Sequence, residues 1–414
     1  MPERILIIGA GFAGLWSALS AQRLIQLRNK QNDVHVVVIA PKPSLVVRPR
    51  LYEANPSAMA HDIAPLLHAT GIQFLEGVVH TIDPSSSTIT YASDTAGVAT
   101  TTLSYDRLVL AAGSSVVRPE GVQGLSAHAF DIDSLASAAT LDAHLKSLAS
   151  LPPSAARDTV VVCGAGFTGI ELATELPARL GRHMRIILVD PSDAVGAQLG
   201  AGPRPAIAAA LAALRVETRL GSGIARVDRT GVTLASGAHI PTLTAVWTAG
   251  VRATPLTAQI AEDRDALGRV RVDAALRVPS ARAVFVTGDA AHAVADPGAG
   301  QTALMCCQHA LLLGRIAGHN AAAGLVGAPL VDYAQAAYNC CLDLGGHGAV
   351  ICRGWQRDVM LEGDMAKRVK QYINGTLIYP PTDAAEALAA ADPGLYGDSD
   401  ELFRKMIETI KGAA

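Results

Sequence analysis

The sequence predicts an α/β protein with two Rossmann-type dinucleotide-binding domains and a small α+β region at the C-terminus. Three observations lead to that fold. Residues 5–18, ILIIGAGFAGLWSA, read as a short apolar strand, a G-x-G-x-x-G loop and the start of an apolar helix. The same order recurs at residues 160–176, VVVCGAGFTGIELATEL. Three later apolar strands end in small residues, around Ala112-Gly113, Thr248-Ala249-Gly250 and Gly288 with Ala290 and Ala291, which let backbone approach a ligand closely.

Each glycine of the paired loops has its own physical task. Gly9 and Gly164 allow the tight strand-to-helix turn, Gly11 and Gly166 let backbone approach a pyrophosphate, and Gly14 and Gly169 let helix pack on strand. The exposed N–H groups and dipole at each helix start then favour the negative phosphates. One such loop in a glycine-rich chain is a weak signal. Two copies in matching strand–helix context point to two dinucleotide sites.

Length and composition agree. With 414 residues the chain has room for two or three domains, and half of its residues are hydrophobic. Charged residues make up 17% and the net charge is −3, which gives no basis for nucleic-acid binding. The first strand opens within five residues of Met1, leaving no room for a secretory signal, and no apolar run approaches the roughly 20 residues of a membrane span. A cytoplasmic protein is expected, at most peripheral to the inner face of a membrane. The six cysteines, Cys163, Cys306, Cys307, Cys340, Cys341 and Cys352, have neither C-x-x-C nor zinc-ligand spacing and read as reduced core residues.

In chain order, the first loop leads into a helix through the twenties and then a parallel strand over residues 34–40. A dinucleotide fold usually ends that strand in an acid that binds a ribose hydroxyl; here the position is Ala40. Residues 45–60 read as a loop leading into a short helix, and strands follow near residues 72–79, 87–92 and 105–114. A crossover with a helix over 135–148 ends in the linker LPPSAARD. The second unit then runs as strand 159–163, glycine loop, helix 169–180 and strand 184–189, closed by Asp190. An acid there accepts a hydrogen bond from a free 2′-hydroxyl and repels a 2′-phosphate, so NADH is favoured over NADPH; alternatively Asp190 caps the turn of the following PSD.

A helix over 206–214 and strands near residues 216–221, 224–234 and 243–251 complete this unit. The apolar strand 283–291 ends at Asp289, which needs a partner such as a polyol hydroxyl or backbone amides. A long helix is expected to open near Gly300 and Gln301, with Cys306 and Cys307 inside it. Strands near YNCCLDLG, GAVICRG and DVMLEG follow, and residues 365–380 read as a solvated strand-and-turn face rather than a membrane-resting one.

Taken together, the two loops, LVLAAGS, GIELATEL, VWTAGV, TGDAA and a Gln-bearing helix resemble the FAD and NAD(P)H pyridine-nucleotide oxidoreductases of glutathione-reductase-like fold. The pattern looks most like type II NADH dehydrogenases, the single-subunit NADH:quinone oxidoreductases, with apoptosis-inducing-factor-like quinone reductases as relatives. The likeness covers roughly residues 3–320. It implies an FAD-binding domain from residues 1–116 and 247–325, an NADH-binding domain at 117–246 and a C-terminal interface or acceptor region at 326–414.

Carried across, the resemblance gives Gly9, Gly11 and Gly14 to the FAD diphosphate and Asp289 to its ribityl chain. Pro49 and Tyr52 of RPRLY fall near the flavin and Gln301 takes the place beside its ring, while Ala112, Gly113, Gly250, Gly288 and Thr302 are expected among the cofactor-binding residues. Gly164, Gly166, Gly169 and Asp190 form the NADH site, and Glu171 lies near nicotinamide and flavin on the helix's first turn, able to position the one or relay a proton. The alternative role for Glu171 is to complement the helix dipole. The helix opening at Gly300 and Gln301 would stabilise negative charge on the reduced ring.

The implied activity is hydride transfer from NADH to FAD, with electrons then passed to a small-molecule acceptor, a quinone being the leading choice. Peripheral membrane contact and a homodimer are compatible with this. A dithiol route is closed, because residues 41–70 contain no cysteine. Within the superfamily, a sulfide:quinone reductase using Cys163 with Cys340, Cys341 or Cys352 is a competing reading. The alternative functions are a soluble flavin-dependent reductase with a non-quinone acceptor and a non-catalytic nucleotide-sensing flavoprotein.

Overall fold

Unbroken runs of Val, Ile and Leu cannot face water on either side, so they form central parallel strands covered by helices. The computed structural model describes residues 2–93, 100–396, 404 and 406–410. The first unit contains β1 (Glu3–Ile8), α1 (Phe12–Leu27), β2 (Val34–Ala40), β3 (Gln73–Glu76) and β4 (Arg107–Leu110). The second contains β5 (Thr159–Cys163), α2 (Phe167–Leu180), β6 (Arg185–Val189), β7 (Glu217–Arg219) and β8 (Thr244–Trp247). The chain then returns to the first unit through β9 (Ala281–Val286) and α3 (Cys307–Val326). It ends with β10 (Asn339–Asp343), β11 (Ala349–Arg353), β12 (Asp358–Gly363) and α4 (Asp364–Tyr372).

Two doubly wound sheets result, as the paired loops predict. In one, β9, β4, β1, β2 and β3 run parallel in that order, and Arg277–Val278 pairs antiparallel on the β9 edge. In the other, the order is β7, β6, β5, β8, all parallel. Ser114–Val116 and Val251–Ala253 pair antiparallel where the chain leaves the first unit and comes back.

Helices α1 and α3 pack so closely that only glycine fits between them. A Cβ on Gly318 would stand 2.0 Å from the Ser17 carbonyl oxygen, and one on Gly314 would stand 2.5 Å from that of Ala13. The Ser17 hydroxyl donates to the Ala13 and Gly314 carbonyls, at 2.7 and 3.0 Å, so the hydroxyl in the contact is satisfied.

The C-terminal strands form an antiparallel sheet, β10-β11-β12, with α4 packed on it. Residues 364–377 are helical, ending in a π-helical turn at Ile373–Leu377, which corrects the strand-and-turn expectation for this stretch. Ala366, Val369 and Lys370 recur at helical spacing and are buried, so this face looks inward. Residues 45–60 also differ from expectation. Ser44–Val46 and Ala60–Asp62 pair as a small ribbon around two 3₁₀ turns.

Candidate functional site: two dinucleotide crevices and a buried ion pair

The six loop glycines divide into those pressed against protein and those facing space. Gly9 has φ +110°, and a Cβ there would lie 2.5 Å from the Ala111 carbonyl oxygen; Gly164 has φ +121°. Side chains on Gly14 or Gly169 would run into the carbonyls of Gly9 or Gly164, at 2.0 and 1.8 Å. At Gly11 and Gly166, by contrast, a methyl group would meet nothing within 4 Å. These two residues precede α1 and α2 with extended backbone. An anion can therefore approach the free N–H groups of both helix starts without meeting a side chain.

Around the first loop the strand ends supply polar groups. The Ser114 hydroxyl donates to Asp289 Oδ2 at 2.6 Å, and Arg48 Nη1 stands 3.9 Å from the same oxygen. Arg48 also donates to the Ser114 carbonyl at 3.2 Å and pairs with Asp133. Pro49 lies in the 3₁₀ turn Arg48–Arg50 beside it. Gly113, Gly250 and Gly288 have φ of +66°, +77° and +62°, and a Cβ on Gly288 would come within 2.7 Å of Ala13 Cβ. Ala112 sits between the end of β4 and Gly113. Ala40 closes β2 as a buried methyl, so this crevice lacks an acid on its second strand.

Around the second loop Asp190 does two jobs. Its Oδ2 accepts from the Ala165 amide inside the glycine loop at 2.7 Å, and its Oδ1 accepts from Ser192 in the next turn at 2.8 Å. The turn cap and the loop contact thus coexist, with the carboxylate at the mouth of the crevice.

Glu171 begins the second turn of α2 rather than lying in the first, and the helix dipole acts within the first turn. That removes the simple dipole role. Only 3% of its side chain is exposed; Oε1 stands 2.9 Å from Lys370 Nζ and accepts from the Asp343 amide at 3.0 Å. Asp343 in turn binds Lys367 Nζ at 2.5 Å and the Tyr52 hydroxyl at 3.0 Å. Burial pushes the Glu171 carboxyl up to about 7, with Lys370 pulling the other way. Burial disfavours the charged form of Lys370, but Glu171, together with Cys341 and Asp343, more than offsets this and holds its pKa above the ordinary value.

The long helix starts later than expected. Gln301–Thr302 pairs antiparallel with Val294–Asp296, and Gly300 has φ +64°. The Asp296 carboxylate accepts from Ala299 N at 3.1 Å and folds the intervening Pro-Gly segment into the loop of this ribbon. Helix α3 opens only at Cys307, with Cys306 extended before it. Gln301 is therefore a ribbon residue whose amide reaches the Ala299 carbonyl at 3.4 Å, and Thr302 is its neighbour. The glutamine on the helix itself is Gln308, whose Oε1 accepts from Asn339 N at 3.3 Å.

No sequence motif marks Asp343, Lys367 or Lys370, and Arg48 opens the RPRLY stretch in which only Pro49 and Tyr52 carry the resemblance. Lys370 does carry a signal: at helical spacing it shares a stripe with Ala366, Val369 and Ile373, an inward position for a charge that then needs a partner. No metal-holding group of His, Cys, Asp or Glu occurs among the described residues, and none of their helices is long and apolar enough to cross a membrane.

Two glycine-loop crevices on paired doubly wound sheets are the architecture of a protein with two dinucleotide-binding domains. The chain belongs to the pyridine nucleotide-disulphide oxidoreductase family, whose model matches residues 3–314. It is 42% identical over 401 residues to a NADH dehydrogenase-like protein of Mycobacterium tuberculosis, the match covering 94% of this chain and 98% of that one. It is 31% identical to the type II NADH:quinone oxidoreductase Ndh of the same organism, over 73% of this chain and 70% of that one. The structure of NDH2 from Plasmodium falciparum in complex with NADH shares the fold, with a TM-score of 0.75 at 13% identity over 94% of this chain and 98% of that one. Members of this family use FAD and NADH.

Proposed function

We infer that the chain is an FAD-dependent enzyme that takes hydride from NADH and passes electrons to a quinone. The observation that carries this is the pair of open cradles at Gly11 and Gly166, one per sheet, each at a helix start. We assign residues 1–116 and 247–325 to FAD, 117–246 to NADH, and 326–414 to the acceptor side. FAD, when bound, supplies the two-electron chemistry and its coupling to the acceptor.

The chain's own residues bind, orient and hold protons. The loop Gly9–Gly11–Gly14 and α1 hold one diphosphate, while Asp289, fixed by Ser114, stands ready for polyol hydroxyls. Gly164, Gly166, Gly169 and Asp190 hold the second nucleotide, and the charge of Asp190 disfavours a 2′-phosphate. Glu171 is the proton-holding side chain at the seam between α2 and β10, where burial favours its protonated form and Lys370, paired with Oε1, favours the carboxylate. Gln301 leaves the ring-side position that a helix start would have given it, and the amides that open α3 at Cys307 and Gln308 take over the stabilisation of negative charge. A peripheral encounter with a quinone-bearing membrane goes with this reading, since the C-terminal region exposes Val359, Met360 and Leu377.

The cysteines speak against a sulfide-using variant. All six are free, and burial pushes the thiols of Cys163 and Cys341 up to about 12, far from the reactive thiolate.

An acceptor screen tests the assignment: NADH or NADPH against a short-chain quinone, ferricyanide, oxygen and sulfide, with the flavin spectrum recorded first. Rapid NADH-driven quinone reduction by the yellow protein is expected. Colourless protein that FAD cannot reconstitute would replace the enzyme with a nucleotide sensor. Oxidation of NADH by the other acceptors alone would make it a soluble reductase of another kind.

A further inference from the structure

The first crevice lacks the acid that usually ends its second strand, yet a carboxylate stands next to the gap. In the parallel pairing of β2 with β3, Ala40 is the register partner of Glu76. Register partners in a parallel pair project to the same face, and their strands run about 4.8 Å apart. The Gly77 amide donates to the Ala40 carbonyl at 2.9 Å, which keeps the two strand ends level.

The face is the relevant one. The Ala40 methyl packs into the apolar cluster that contains α1, so Glu76 leaves its strand on the side of the first glycine loop. It does so at the carboxyl end of the sheet, where ligands of open α/β sheets bind. Asp190 and Asp289, the other acids at strand ends in the two crevices, are engaged by protein donors. The Glu76 side chain is exposed and makes no hydrogen bond or ion pair among the described residues. Beside it, Ala40 offers only a methyl group, so nothing bulkier separates the carboxylate from a ribose lying over the end of β2.

We propose that Glu76 replaces the missing strand-end acid and accepts a hydrogen bond from the 2′-hydroxyl of the FAD adenosine ribose. The proposal rests on the assignment of the first crevice to FAD. The acid is displaced by one strand, and the ribose contact is retained through a longer side chain reaching across a small neighbour.

The test measures flavin affinity rather than turnover. The full chain is stripped of flavin and titrated, by quenching of flavin fluorescence, with FAD and with an FAD analogue whose adenosine ribose is 2′-deoxy. Wild-type protein is expected to bind the analogue about tenfold more weakly than FAD, as for loss of a hydrogen bond to a charged group. Glu76→Ala should bind FAD about tenfold more weakly than wild type and no longer distinguish the two flavins. Ala40→Glu introduced into that variant should restore both the affinity and the distinction. Glu76→Gln, which keeps the side chain's shape, serves if the alanine variant does not fold. Wild type that binds FAD tightly while the Glu76 variants match it with both flavins overturns the proposal alone. Wild type that binds neither flavin overturns the FAD assignment beneath it.

Discussion

Lys370 Nζ lies 2.9 Å from Glu171 Oε1, and the two side chains are only 6% and 3% exposed. The contact ties α2 of the second dinucleotide unit to α4 of the C-terminal region. Lys370 also donates to the Cys341 carbonyl at 2.9 Å, and Glu171 also accepts from the Asp343 amide. Two charges withdrawn from water are tolerable only when paired and hydrogen-bonded, and both conditions are met.

Removing one member should therefore cost more than removing both. Lys370→Met leaves the Glu171 carboxylate buried without its cation and is expected to lower stability by about 3–5 kcal/mol. Glu171→Gln combined with Lys370→Met should regain much of that loss. Urea unfolding of the wild type, the single variants and the double variant measures the coupling; additive losses would mean that the pair does not interact.

The pH dependence has a definite sign. Burial raises the Glu171 carboxyl to about 7 from an ordinary value of 4.5, so the folded chain holds this proton more tightly than the unfolded one. The stability it contributes is fully present below pH 4.5 and is lost as pH rises through 7. Lys370 keeps its proton throughout that window, because its pKa lies above 10.5. Urea midpoints between these limits should fall with pH for the wild type and fall less steeply for Glu171→Gln. Identical slopes would contradict the raised carboxyl.

The glycine loops offer a paired comparison. Gly11→Ala and Gly166→Ala place a methyl in open space and should leave folding stability within about 0.5 kcal/mol while weakening FAD or NADH binding. Gly14→Ala and Gly169→Ala drive a methyl into a carbonyl oxygen and should destabilise the fold itself, by at least about 1–3 kcal/mol. Thermal melts of flavin-free protein separate the classes; equal melting points across all four would show that the close packing at Gly14 and Gly169 carries no energetic weight.

Nucleotide choice should follow Asp190. Asp190→Asn keeps an oxygen for the Ala165 amide but removes the negative charge. The preference for NADH over NADPH in kcat/KM is expected to fall at least about tenfold, with the flavin still bound. An unchanged ratio would leave Asp190 as a turn cap and no more.

Much of this architecture is legible in the chain because it is local. Strand, glycine loop and helix are contiguous at both sites, and the closest contacts of Gly14 and Gly169 fall inside their own loops, at Gly9 and Gly164. The start of α3 is not legible, because Gln301–Thr302 is held by a ribbon to Val294–Asp296, a tertiary pairing with no periodicity to announce it. The role of Lys370 is hidden because its partner lies 199 positions away (370 − 171). A charge on the apolar stripe of a short helix identifies that partner only once the third region is docked on the second.

The most direct test of two nucleotides meeting across the crevices is a single-turnover experiment. Protein with FAD bound is mixed anaerobically with NADH or with NADH deuterated at nicotinamide C4, and the loss of oxidised-flavin absorbance is followed before a quinone is added. Fast bleaching, slowed by deuterium, and full recovery of colour on adding the quinone are expected. Flavin that stays oxidised under excess NADH, or that bleaches without regaining its colour from the quinone, would contradict electron flow from NADH through FAD to a quinone.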